Sequence, residues 1–256
     1  MAKITEIHIS GKAGDLVFFP RYGKTLSRTQ AENVQLTDAT IKSAATFGVA
    51  VKVAKFLRQG LSPAYPKITR RVGEYRLASA TGKLLGQIEQ DKGTSLINPA
   101  ALFNLAVNPK IHLSERLRVK LDTDWSQPGV AMISFPALNP AKDVIAPAQT
   151  QTLHWQIAVA GSTINSPIIT GGYNMSFELA YDNTDLPARS IELPFTVQPG
   201  TVNPILVTLR YSVAGKRNTV LKKAQQWLPA DIVGALYQAP EKTTATPKKA
   251  AAKRKK

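Results

Sequence analysis

The side chains best suited to gripping a partner are cations. Lys242, Lys248, Lys249, Lys253, Arg254, Lys255 and Lys256 fall within the last sixteen residues, against a single acid, Glu241. Ala, Thr and Pro space them and no large apolar residue accompanies them, so a disordered basic arm is expected when free. Such an arm binds nucleic acid or another polyanion without reading its sequence. Arg116, Arg118 and Lys120 alternate with Leu117, Val119 and Leu121. That spacing predicts three cations on the outward face of one strand, a second grip for phosphates.

Elsewhere the residues that could do chemistry do not converge. Gly23-Lys24-Thr25 ends like a phosphate-binding loop, but Phe18 stands where that loop needs its first glycine. His8, His112 and His154 lie far apart with no partner at helical spacing, so they predict neither a metal site nor a general base. His154 sits between Leu153 and Trp155 and is expected on the solvated face of a strand. Asp122-Thr123-Asp124 and Asp182-Asn183-Thr184-Asp185 have the oxygen density of a calcium loop, yet turn-forming Asx residues at strand ends account for them. No Gly-x-Ser-x-Gly elbow or paired carboxylate motif occurs, and cysteine is absent. Thiol catalysis and Cys-ligated metals are thereby excluded. The expectation is a non-enzymatic protein with no catalytic residue, metal or cofactor. Trp125, Trp155 and Trp227 read as sandwich core or rim, with Trp155 buried between Leu153 and Ile157.

The elements that would position these residues change character along the chain. Asp15–Phe19 and Lys24–Thr29 flank Pro20-Arg21-Tyr22-Gly23, which has the chemistry of a tight hairpin turn. A helix capped by Thr37 or Asp38 follows, with Ile41, Ala44, Ala45, Gly48, Val51 and Phe56 on its apolar face, and Gly60 in a left-handed cap ahead of Pro63. A second helix is expected over 69–90, turning Val72, Leu77, Thr81, Leu84, Leu85 and Ile88 inward and Arg70, Arg71, Arg76 and Lys83 outward, stopped by Asp91-Lys92-Gly93. From about Ala101 the period becomes two. Strands are expected at 117–121, 130–135, 153–157, 175–181, 191–197, 205–213, 220–226 and 232–237. Turns are expected at Gln127-Pro128-Gly129, Thr170-Gly171-Gly172, Gln198-Pro199-Gly200 and Ala214-Gly215-Lys216.

The front of the chain also resembles a known group. Ser10-Gly11-Lys12-Ala13-Gly14-Asp15-Leu16-Val17, Arg21-Tyr22-Gly23-Lys24-Thr25 and Arg28-Thr29 are similar to the opening of a Bacteroidetes domain-of-unknown-function family with a Gly-Lys-x-Gly start. Leu36-Thr37 and Ala45-Thr46-Phe47-Gly48 continue the resemblance, which covers the first 60–90 residues. It implies a bacterial or bacteriophage protein and carries over no functional residues.

With 256 residues, 43% hydrophobic, the chain can bury a sizeable core without staples. The first eight residues lack a signal-peptide core, and no stretch is apolar for long enough to span a membrane. A net charge of +16 favours a polyanionic partner. Residues 1–92 carry 15 Lys/Arg against 7 Asp/Glu, residues 93–240 carry 11 against 9, and residues 241–256 carry 7 against 1. The expected class is α+β, mainly β. A small hairpin-plus-two-helix module (1–92) precedes an antiparallel immunoglobulin-like β-sandwich (93–240) and the basic arm (241–256). The expected role is a structural or assembly protein, in its concrete form a phage virion or particle component that self-associates or joins other assembly proteins. Two alternatives are a free bacterial nucleic-acid-associated protein and a carbohydrate- or surface-binding sandwich. Localisation is expected in the cytoplasm or a virion.

Overall fold

Helix formation begins where the sequence caps it. In a computed structural model, which describes residues 3–4, 9–21, 24–29, 36–67, 70–90, 96–97, 99–214 and 225–240, Thr37 Oγ1 accepts the backbone N–H of Thr40 at 3.2 Å. That bond satisfies one of the donors a helix start leaves free. Several sequence expectations lie outside the described residues: the 220–224 part of a strand, the 91–93 helix stop, the Gly215-Lys216 turn, Tyr22-Gly23, His8 and the whole 241–256 stretch.

The chain divides into two compact units, Met1–Ala44 and Ala45–Lys256. The first holds an antiparallel sheet, β1 (Lys3–Ile4), β2 (Ile9–Ala13), β3 (Leu16–Arg21) and β4 (Lys24–Thr29), paired in that order. β3 and β4 form the expected hairpin, with Arg21 opposite Lys24. Helix α1 (Asp38–Gly60) starts in this unit and continues in the next. The division between these two compact units therefore falls inside α1.

The second unit holds α2 (Arg70–Gln90) and two antiparallel sheets. The larger contains β5 (Leu96–Ile97), β6 (Leu105–Ala106), β9 (Thr150–Thr163), β10 (Ile169–Ala180), β12 (Thr201–Val213) and β13 (Ala230–Gln238), in the order β10-β9-β12-β13-β5 with β6 also on β13. The smaller is β11-β8-β7, made of β7 (Asp122–Asp124), β8 (Val130–Phe135) and β11 (Arg189–Pro194); a short helix α3 (Pro140–Asp143) follows β8. The fold is thus α+β and mainly β, with antiparallel sheets throughout the described residues.

Alternation along β9 and β12 sends side chains into two cores. Leu153, Trp155, Ile157 and Val159, with Ile205, Val207, Leu209 and Tyr211, face the smaller sheet and pack on Ile133, Phe135 and Leu193. Trp155 is fully buried there, stacked on Phe177 at 6.0 Å and edge-on to Phe135 at 5.3 Å. The opposite face offers Ala158, Ala160, Val202 and Leu206, on which Val53, Ala54, Leu57, Leu77 and Leu84 of the two helices pack. Both helices therefore share a core with the large sheet. Arg58 Nε and Glu74 Oε2, 3.4 Å apart, tie α1 to α2.

Five local expectations are corrected. The buried stripe of α1 is Ala50, Val53, Ala54 and Leu57, whereas Ile41, Ala44, Ala45, Gly48 and Val51 are exposed. In α2, Val72 is exposed too. The helical period was present, but its phase follows the sheet it meets. Gly60 does not take the left-handed conformation; a Cβ there would come within 2.6 Å of Ala160 Cβ, so the glycine permits close approach of helix to strand. Thr170-Gly171-Gly172 lies inside β10 and is not a turn. Residues 117–121 keep their alternation in burial but join no sheet, contributing only an isolated bridge from Leu117 to Val144.

Candidate functional site

The three cations expected on one strand have three different surroundings. The Arg116 guanidinium lies over the Trp227 ring at 3.9 Å and donates to the Gln226 carbonyl at 3.1 Å. It bolts two short 3-10 turns, Leu113–Glu115 and Gln225–Trp227, to one another. Lys120 Nζ stands 3.4 Å from Asp122 Oδ1, both side chains largely in solvent. Arg118 is exposed. Because the segment is a loop, these cations do not form a single strand face. Lys242, Lys248, Lys249, Lys253, Arg254, Lys255 and Lys256 lie outside the described residues.

A polar group emerges where the helical layer stops. On the helix side of the large sheet, Thr208 Oγ1 donates to the Ala64 carbonyl at 2.6 Å, marking the edge of that layer. Beyond it the same face carries His154 on β9, flanked directly by Glu178 on β10 and Arg210 on β12. Directly opposed residues of antiparallel strands present their side chains on one face. His154 Nδ1 is 2.9 Å from Glu178 Oε1, and Nε2 is 2.5 Å from Ser212 Oγ. A carboxylate only accepts, so Nδ1 carries the proton and Nε2 accepts from the serine hydroxyl. Arg210 Nε is buried with no partner among the described residues, and burial holds its guanidinium below the ordinary value. His154 does sit on a strand face, but bonded on both nitrogens. Sequence reasoning missed this group because its members come from three strands, 24 and 58 residues apart. Their alternation within each strand was the one available signal.

A third feature is a cleft of about 620 Å³ beside Trp125, lined also by Asp124, Gln127, Phe195, Thr196 and Gln238. Trp125 packs edge-on to Phe195 at 6.4 Å and its indole nitrogen has no partner among the described residues. The acidic clusters behave as local turn formers. Asp124 accepts from the N–H and hydroxyl of Ser126 at 2.9 and 2.7 Å, and these bonds hold its carboxyl below the usual range. Asp182 is lowered likewise by Thr184. Asp122–Asp124 is a strand, β7, and not a loop tip. Among the described residues no three acids or histidines cluster as a metal site would require.

Among the described residues, Asp231 on β13 is the one acid the core encloses. Burial pushes its carboxyl above the ordinary range, opposed by the Leu113 N–H at 3.0 Å and by His112 at 3.4 Å. No helix among the described residues is long and apolar enough to cross a membrane. No family model matches this chain, and no curated protein matches it.

Proposed function

We propose that this chain is a structural or assembly protein, built around an immunoglobulin-like sandwich, whose 241–256 stretch contacts nucleic acid or another polyanion. Its main task is binding, not turnover. One observation carries the reading: residues 93–240 are nearly neutral, while the sixteen residues that follow hold seven cations against one acid. Clustered charge of this kind gains affinity by releasing counterions from phosphates. Arg116 and Lys120 are already engaged with Trp227 and Asp122, so Arg118 and the seven cations beyond Pro240 are the better candidates for the partner. A virion or particle component of bacterial or phage origin, self-associating or joined to other assembly proteins, is the concrete form.

The test is titration of the intact chain and of a chain ending at Pro240 with unrelated duplexes at several salt concentrations. The seven cations should add a log–log slope between about −3 and −6, at roughly −0.9 per phosphate contact. Equal slopes for the two chains overturn the nucleic-acid reading. An ordered homo-oligomer in light scattering supports assembly, whereas a DNA-binding monomer points to a free nucleic-acid-associated protein. The cleft at Trp125 favours a second reading, a carbohydrate-binding sandwich, since an indole beside amide and carboxylate groups suits a sugar ring. A glycan that quenches tryptophan fluorescence without salt dependence would select it.

A further inference from the structure

The polar group at the edge of the helical layer has a property that polyanion binding does not use. A serine hydroxyl is a weak nucleophile until a base accepts its proton and a third group orients that base. Ser212, His154 and Glu178 meet those requirements in series, at 2.5 and 2.9 Å. The imidazole is a quarter exposed, so a reagent can reach it. Arg210 stands directly across from His154 on the same face, its Nε unpartnered among the described residues. A polar ladder serving only solubility would account for the two hydrogen bonds. Beside it, the half-buried Arg210 guanidinium has an Nε with no acceptor among the described residues, a donor that an incoming oxyanion would satisfy.

We infer that Ser212 is an activated nucleophile that accepts an acyl group from an activated ester. Ser212 Oγ attacks the ester carbonyl, forming the Oγ–C bond as its proton passes to His154 Nε2. The tetrahedral centre then collapses, breaking the C–O bond to the leaving alcohol, which departs with the proton from Nε2. Nothing is oxidised or reduced. Glu178 acts as a positioning residue, holding the ring through Nδ1–H. Arg210 supplies a fixed positive charge on the face where the oxyanion develops, the arrangement that stabilises such intermediates.

The experiment treats the full-length folded protein with an alkyl fluorophosphonate, follows the intact mass and maps the modified peptide. One adduct per chain on the peptide containing Ser212 is expected, and peptide mapping of the unsubstituted chain requires no variant to fold. Ser212→Ala should lose the adduct, and His154→Ala should label at least about a hundredfold more slowly, the usual range for removal of a general base. Glu178→Gln should slow labelling while its melting curve stays that of the parent, which a merely structural role would not produce. p-Nitrophenyl acetate should give a stoichiometric burst of nitrophenolate that Ser212→Ala abolishes. No adduct in excess reagent, an adduct at another residue, or parental labelling in His154→Ala would each overturn the inference and leave the three side chains as a hydrogen-bonded surface ladder.

Discussion

Single residues in this fold are governed by how completely they are enclosed. Trp155 is fully buried against Phe135 and Phe177, with Arg189 lying 4.2 Å over the Phe177 ring beyond it. Trp155→Ala should cost about 3–5 kcal/mol in chemical denaturation, the range for a large aromatic removed from a packed interior; a loss below about 1 kcal/mol would mean the site refills or is solvated. Asp231 works in the other direction. Its carboxyl titrates above the ordinary range because burial disfavours the charged form. The folded state therefore binds the proton more tightly than the unfolded state, and stability falls as pH rises from the unfolded carboxylate range through the raised value. Asp231→Asn keeps an acceptor for the Leu113 N–H without that titration. The stability of the parent relative to Asp231→Asn should therefore decline as pH increases, read from melting at a series of pH values. A parallel pair of curves would show that His112 and Leu113 fully offset the burial.

At the scale of elements, the helices are held by how near the sheet allows them to come. Gly60 and Ala160 approach so closely that a Cβ at 60 would sit 2.6 Å from its neighbour, whereas a Cβ at Gly86 meets nothing within 4 Å. Both positions are helical, and replacing a helical glycine by alanine ordinarily stabilises by up to about 1 kcal/mol. Gly86→Ala should show that gain. Gly60→Ala should instead destabilise by about 1–3 kcal/mol, because the overpacked contact is not with the end of a flexible side chain. Opposite signs in paired urea titrations are the expected outcome. β12 shows the same dependence on neighbours. It contains Pro204, which cannot donate to a ladder; its pairing with β9 skips Asn203 and Pro204, and its pairing with β13 shifts register at Ile205/Leu206.

For the whole molecule, the shared core determines what unfolds together. Val53, Leu57, Leu77 and Leu84 pack in one cluster with Ala158, Val202, Leu206 and Ile232. Residues that share a core exchange their amide hydrogens in one cooperative event. Hydrogen exchange should therefore protect the 50–57 and 77–84 segments to the same limit as the centres of β9 and β12. Helices that exchange at a much lower free energy than the sheet would instead support a boundary near residue 92.

Much of this protein is written locally. The Thr37 cap, the span of α1, the β3–β4 hairpin, β8 at Val130–Phe135 and the turn glycines at 129 and 200, both with positive φ, follow from side-chain spacing and backbone sterics. Such features need only neighbours a few residues away. The extent of β9 was not legible, because Ala158–Gly161 is covered on both faces and loses the alternation that marks a half-solvated strand. The phase of α1 was not legible either: an alanine-rich helix offers several apolar stripes, and only contact with Ala158 and Ala160 selects the one through Val53 and Leu57. Residues 117–121 alternate as a strand would, yet no partner edge reaches them beyond Val144, since alternation specifies which side chains are buried and not which backbone pairs. The relay of Glu178, His154 and Ser212 belongs entirely to tertiary structure. Strand order β10-β9-β12 and its register bring together residues that sequence separation keeps apart, and periodicity within one strand carries no information about which strand lies next to it.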